Sequence, residues 1–372
     1  MRRLVIAAVA ALAFAAPAGA AVPRVEARAF YVVSGTTGEV LAARDADERL
    51  PVASITKLMT VLVALDHLHL DDVVTVPAQA ARVGESRIPL RPGQRITVRD
   101  LIAGALIQSA NDAADTLAAA ASEDDVPRFV EWMNERAQQL GLHDTHFARP
   151  DGLDAPGHVS SARDVSLLAR VAMRSPVVRS TVRMRSAVIE NGRVVLHTWN
   201  DLLGVFPGLI GVKTGHTSAA GWCEVAAAQR PGYTIYAVVL GSPTRAQRNS
   251  DLDRLLGWGV AQYRTRTLIS RVPYAHVALP YGLDPLPLVA SSPLVRVVRA
   301  GRPLVRRIVV PSSVSLPVVQ GQRLGRIEVR AGKTLLATRP LVAARTVLLP
   351  GVAWRVRWYL LRTMHDLWGS FS

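Results

Sequence analysis

Lysine is nearly missing from this chain. The 372 residues carry 44 basic side chains, yet lysine stands only at Lys57, Lys213 and Lys333, and arginine supplies the other 41. Arginine keeps its proton in a protein, whereas a partly buried lysine gives it up. A sequence that writes arginine almost everywhere and lysine at three places has a use for a titratable amine there. Cysteine is scarcer still. Cys223 is the only one, which excludes an internal disulfide. It follows Gly221-Trp222 in an expected strand and reads as a buried structural thiol. No His, Cys and carboxylate cluster has metal-ligand spacing. Stability therefore has to come from a large apolar core, which 49% hydrophobic and 20% charged residues can supply.

Acidic residues number 29, so the net charge is +15. That excess invites a nucleic-acid partner. The arginines are dispersed along the sequence rather than clustered on one element, and no nucleic acid is expected. A basic surface also suits an anionic membrane or an anionic cell-wall polymer. Long apolar runs are absent at the ends. Leu4 to Ala16 is apolar but too short to span a bilayer. With Arg2-Arg3 before it and Ala18-Gly19-Ala20 after it, residues 1–20 read as a secretory leader.

The remaining chain falls into three stretches. Residues 21–268 mix strand and helix signals. Ala29–Ser34 and Glu39–Ala43 flank a Gly-Thr-Thr-Gly turn as a hairpin. A buried helix is expected from Ala53 to Leu68, then helices over Val98–Gln108, Asn111–Ala121 and Pro127–Leu140. Ser161-Ala162-Arg163-Asp164 reads as a capping box, and Asn191-Gly192 as a two-residue hairpin turn. Three strands follow, over Leu209–Thr214, Gly221–Gln229 and Tyr233–Gly241, then a helix from Thr244 to Arg264. The order implies an α+β fold: a five-stranded antiparallel sheet with flanking helices and an inserted helical subdomain. Residues 269–346 are rich in Val, Leu and Pro without helical period and read as a small all-β domain. In residues 347–372, Trp354, Trp358, Leu361, Met364, Leu367, Trp368 and Phe371 share one helical arc. Interleaved arginines suit an interfacial membrane helix, against the alternative of a helix docked on the β domain. Arg355, Arg357, Arg362 and Asp366 exclude a span.

Three short motifs carry chemistry. Ser54 precedes Lys57 by three residues, which on a helix puts the side chains on one face about 5–6 Å apart. Alone this is weak, because a serine at a helix start is first a possible cap. Ser109-Ala110-Asn111 falls between two expected helices, where polar side chains can enter a cleft. Lys213-Thr214-Gly215 is expected to end a strand, with Gly215 letting a ligand backbone approach the strand edge. Ser-x-x-Lys, Ser-x-Asn and Lys-Thr-Gly in that order are the signature of penicillin-binding proteins and class A β-lactamases. Two of the three lysines lie in these motifs.

On these motifs, and on Asp151-Gly152-Leu153-Asp154-Ala155, Ser160–Asp164, Gly211–Thr217 and Leu255-Leu256-Gly257-Trp258-Gly259, the chain resembles the D-alanyl-D-alanine carboxypeptidases of low molecular mass among the penicillin-binding proteins. The resemblance implies a serine-type enzyme at the periplasmic face of the inner membrane, held peripherally by the C-terminal helix, with no cofactor. Its partners would be the peptidoglycan pentapeptide and β-lactams. Ser54 would be the nucleophile and Lys57 its base, activated by the nearby charge of Lys213. Ser109 would relay a proton to the leaving D-alanine. Asn111 would hold the substrate amide. Lys213, Thr214 and Gly215 would line the carboxylate subsite, with Arg248 in support, and His216 would lend its backbone N–H, with that of Ser54, to the oxyanion hole. Ala110 stands where the signature has aspartate, and Arg87-Ile88-Pro89 replaces smaller or Met residues. A D,D-endopeptidase or β-lactamase with the same machinery, and a non-catalytic wall-binding protein, are the rival readings.

Overall fold

Val- and Ala-rich strands build the sheet that carries Lys213-Thr214-Gly215. The computed structural model describes residues 21–369. The leader expected over residues 1–20 lies outside them, as do Phe371 and the side chains of Leu367 and Trp368. The chain forms two units, one up to Ala261 and one from Gln262 onward.

In the first unit, β1 (Ala29–Ser34) and β2 (Val40–Arg44) form the expected hairpin. The chain then leaves the sheet for a helical block. This contains α1 (Lys57–His67), a ribbon of β3 (Val73–Thr75) with β4 (Arg95–Thr97), α2 (Ala78–Ala81), α3 (Val98–Ala103), α4 (Asn111–Ala121) and α5 (Val126–Gln139). After α6 (Ala162–Ala172) and α7 (Pro176–Thr181), a small ribbon of β5 (Ser186–Ile189) and β6 (Val194–His197) precedes the return to the sheet. There β7 (Leu209–Thr217), β8 (Gly221–Arg230) and β9 (Tyr233–Ser242) run as a meander, and α8 (Arg245–Ala261) closes the unit. The sheet is five-stranded and antiparallel in the order β2-β1-β9-β8-β7, with the helical block inserted after the first hairpin. Residues 223–228 of β8 and 235–240 of β9 are buried without alternation. Such runs belong to strands covered on both faces, and α6 and α8 pack against this sheet.

Several local expectations are corrected. The helix expected from Ala53 starts as a 3-10 turn over Ala53–Thr56, with Ala53 itself at positive φ, and becomes α-helical only at Lys57. Val98–Gln108 is not one α-helix: α3 widens into a π-turn over Gly104–Gln108. Glu190–Gly192 form a 3-10 turn between β5 and β6, so the connection is longer than a two-residue hairpin turn. Ser161 caps α6 by accepting from the Asp164 N–H at 3.2 Å. The Asp164 carboxylate does not complete a capping box. It accepts from the Asp144 N–H and the Thr145 hydroxyl, both at 2.8 Å, and so staples a loop to the helix start. Lys213-Thr214-Gly215 lies inside β7, not at its end.

The second unit starts with β10 (Tyr263–Ile269), which pairs with β13 (Leu294–Arg299). The helix expected to reach Arg264 therefore yields to a strand. A second antiparallel sheet has the order β11-β12-β16-β15-β14, from β11 (Pro273–Val277), β12 (Leu286–Ala290), β14 (Leu304–Val309), β15 (Arg323–Ala331) and β16 (Thr334–Ala343). Its core gathers Ile269, Val277, Leu286, Leu288, Ile327 and Leu341. The last helix, α9 (Val352–Gly369), touches this unit through Trp354, whose indole N–H donates to the Tyr281 carbonyl at 3.1 Å, and through Trp358, edge-on to Tyr281. Val352, Val356, Tyr359, Leu360, Leu361 and Met364 stay exposed. Among the described residues no helix is long and apolar enough to cross a membrane.

Candidate active site

The turn that holds Ser54 is gripped by two glycines. A Cβ at Gly215 would stand 2.7 Å from the Val52 carbonyl and 3.2 Å from the Ser54 nitrogen; one at Gly152 would overlap the Ala53 carbonyl. Only glycine permits that closeness. Gly215 thus admits the Ser54 turn against β7, and it also lines the cleft.

One helical turn later α1 presents Lys57, which is fully buried. Its ammonium donates to Ser54 Oγ at 2.8 Å, Asn111 Oδ1 at 2.6 Å and the Asp151 carbonyl at 2.5 Å. All three protons are used. Burial lowers the Lys57 pKa to about 8, while Asp151, Asp115, Glu85 and Asp112 pull it back upward. The charge of Lys213 was expected to depress it; desolvation is the cause instead. Asn111 opens α4 without capping it, and its Nδ2 donates to the Gly84 carbonyl at 3.0 Å.

Ser109 follows the π-turn in the left-handed region, at φ 65°. That bend turns its hydroxyl toward β7, where Lys213 Nζ donates to Ser109 Oγ at 2.8 Å and to the Thr214 carbonyl at 2.9 Å. Lys213 is 2% exposed, and burial followed by the Lys57 charge holds its pKa well below the usual lysine range. The two lysines therefore approach from α1 and β7, each against a serine.

Ser54, Ser109, Asn111, Thr214, Gly215, His216 and Arg248 line one cleft with an empty volume of about 650 Å³. Lys57 and Lys213 are buried and join the cleft through Ser54, Asn111 and Ser109. The His216 ring is exposed and lies against Trp222, centroids 4.1 Å apart. Arg248, at 1% exposure, is far from a solvated surface arginine. Its guanidinium donates to Asp201 at 3.1 Å and to Asn249 Oδ1 at 2.6 and 3.0 Å, and lies over the Trp222 ring.

Sequence spacing missed the rest of the wall. Glu85, Ser86, Trp199, Trp222 and Arg245 also line the cleft. Asp201 collects Arg245, Arg248 and Asn249. Only the fold brings the 199–201 turn to the start of α8, and no motif flags it. Asp112 was missed too, although it directly follows Asn111. Its carboxylate accepts from the Ile88 and Leu90 N–H groups at 3.1 Å and pins the 84–90 loop over the cleft. Cys223 is buried within β8, its thiol pushed up to about 12 by burial.

The chain as a whole is similar to known proteins. A family model described as D-alanyl-D-alanine carboxypeptidase matches residues 16–244. The D-alanyl-D-alanine carboxypeptidase DacF of Bacillus subtilis is 32% identical over 93% of this chain and 91% of its own length. DacC of Escherichia coli is 31% identical over 96% of this chain and 94% of its own. Among solved structures, penicillin binding protein 5 from Haemophilus influenzae superposes with a TM-score of 0.65 at 28% identity, covering 89% of this chain and all of that one. With a family model over residues 16–244 and curated relatives 32% and 31% identical over nearly the whole chain, the chain belongs to the D-alanyl-D-alanine carboxypeptidase family of serine peptidases.

Proposed function

We propose that this enzyme removes the terminal D-alanine from peptidoglycan pentapeptide stems through an acyl-enzyme on Ser54. The observation that carries the reading is the triple contact of Lys57 with Ser54, Asn111 and Asp151. A neutral Lys57 amine reverses its bond to Ser54. It takes the hydroxyl proton as Oγ attacks the carbonyl between the two D-alanines. The backbone N–H groups of Ser54 and His216 receive the oxyanion, where losing one donor typically costs about 3–4 kcal/mol of barrier. Lys57 then gives that proton up to the leaving amine by way of Ser109, which Lys213 orients, and is neutral again. Water then attacks the acyl carbonyl, again with Lys57 as base. Thr214, Lys213 and Arg248 hold the substrate carboxylate. A β-lactam presents the same features, an amide carbonyl and a carboxylate, and acylates Ser54.

The site acts on an exported substrate, and the reading extends to place. We place the enzyme at the periplasmic face of the inner membrane, held by α9. The exposed Trp354, Tyr359, Leu360, Leu361 and Met364 interleaved with Arg357 and Arg362 support this.

The test uses purified full-length protein and its Ser54→Ala variant, each given a peptide ending in D-Ala-D-Ala and a labelled penicillin. Wild type releases free D-alanine and forms a stable covalent adduct; the variant does neither. An adduct without D-alanine release defeats the carboxypeptidase reading, and rapid penicillin turnover would make the enzyme a β-lactamase.

A further inference from the structure

Behind the carboxylate wall stands an acid that the reaction does not use. Glu224 on β8 is fully buried. It lies directly opposite Thr214 in the β7–β8 pairing, so both side chains leave the sheet on the same face. Thr214 lines the cleft and Glu224 sits behind it. The Glu224 carboxylate is 3.1 Å from Arg248 Nε, yet neither of its oxygens receives a well-aligned hydrogen bond. The guanidinium gives its hydrogen bonds to Asn249 and Asp201 instead. Glu224 thus meets Arg248 as a charge without being a required hydrogen-bond partner. A buried carboxylate held in that way is costly to keep ionised.

We propose that Glu224 is a specificity residue whose protonation sets how tightly the cleft holds a substrate's terminal carboxylate. The inference rests on the carboxypeptidase reading of the same cleft. The charged groups that act on Glu224 are Arg248 and Arg245 from α8, Lys213 from β7 and Asp201 from the 199–201 turn; β9 sets Val239 opposite it. With Glu224 ionised, one unit of the positive charge around the subsite is already neutralised. A substrate carboxylate arriving beside Thr214 then meets a second anion close behind. With Glu224 protonated, the charge of Arg248 is available to the substrate. The bound carboxylate and the Glu224 carboxylate compete for the same cations, so binding the anionic substrate draws proton from solvent onto Glu224, approaching one equivalent only well above pH 7. Burial raises the Glu224 pKa to about 7, which puts this competition in the working pH range. The Asp201 pKa moves the other way, lowered chiefly by Arg245, so Asp201 stays ionised throughout.

The sign is opposite to that of Lys57. As pH rises through about 7, Glu224 loses its proton and substrate affinity falls, while the neutral fraction of Lys57 grows toward about 8. Binding and chemistry have opposed pH slopes.

The experiment compares two peptides on the wild-type enzyme, one ending in D-Ala-D-Ala and the other in D-Ala-D-Ala-amide. Each competes with acylation by a labelled penicillin between pH 6 and pH 8.5. The inhibition constant of the acid peptide rises about five- to tenfold from pH 6 to pH 8, following the deprotonation of one linked group, and that of the amide peptide stays within twofold. In Glu224→Gln the acid peptide loses this dependence and binds at pH 8 as it does to wild type at pH 6. The same slope for both peptides in wild type overturns the proposal. So does an unchanged slope for the acid peptide in Glu224→Gln. Where that variant does not fold, the acid–amide comparison on wild type decides alone. Failure of the carboxypeptidase reading shows separately, as no D-alanine release by the wild type at any pH.

Discussion

Lys57 commits all three ammonium protons, one of them to Ser54 Oγ, the atom it activates in the proposed mechanism. The amine reacts only when neutral, so the rate follows the deprotonated fraction. With its pKa lowered to about 8 by burial, penicillin acylation under saturating conditions rises about tenfold from pH 6 to pH 7 and levels above 8. Stopped-flow acylation measures this limb; a rate flat from pH 6 to 8 would remove Lys57 as the base. Asn111 tunes the same group. Its Oδ1 accepts from the charged form, and a hydrogen bond to the charged form raises a lysine pKa. Asn111→Ala therefore shifts the limb to lower pH. The plateau falls about tenfold or more because the amine loses an orienting contact. A lower plateau with an unmoved limb would mean that Asn111 serves the substrate alone.

Elements position these groups through close approaches that composition alone does not reveal. The 3-10 turn at Ser54 reaches β7 only because residue 215 lacks a side chain. In Gly215→Ala the new methyl meets backbone on the Val52 side, which cannot swing away. Thermal unfolding is expected to show a loss of about 1–3 kcal/mol, the usual range for overpacking, with acylation reduced beyond what stability explains. A variant as stable and as fast as wild type would show that the turn has slack. The Asp112 carboxylate does similar work for the 84–90 loop, so Asp112→Ala leaves two buried N–H groups unsatisfied, at about 1–3 kcal/mol each. These particulars mark the limits of sequence reading. The five strands were legible because buried runs and turn residues are local signals, and the motif order named Ser54, Lys57, Ser109, Asn111 and Lys213. Three features were not legible. The π-turn before Ser109 came from an apolar run that looks helical throughout. The staple made by Asp164 looks like a capping box until its partners are seen. The Asp201–Arg248–Glu224 group joins residues from three elements that no spacing connects.

Across the whole chain the charge is sorted, though the arginines look dispersed along the sequence. From residue 262 to the end there are 17 basic and three acidic residues; residues 21–261 carry 25 and 26. Nearly all of the net charge of +15 therefore belongs to the second unit and its tail, while the catalytic unit is close to neutral. On that second unit Arg266 and Arg296 stand directly opposite each other in the β10–β13 pair, an arrangement that destabilises a ribbon in isolation and favours an anionic neighbour. The same stretch of chain ends in an exposed apolar helix, and on the proposed reading the two would make separable contributions to membrane binding. Basic residues near an anionic surface contribute on the order of 1 kcal/mol each and are screened by salt. Apolar side chains entering the interface resist salt. Full-length protein is expected to co-sediment with vesicles containing phosphatidylglycerol, and part of that binding persists when sodium chloride is raised to about 1 M, where the screening length is only about 3 Å. Removing the residues after Pro350 eliminates the salt-resistant part and leaves a weaker, salt-sensitive part due to residues 262–350. D-Alanine release from a soluble peptide is unchanged, because the truncation leaves every residue of the cleft in place. Salt-resistant binding that survives the truncation would refute α9 as the anchor, and equal binding to neutral vesicles would deny the arginines any part in it.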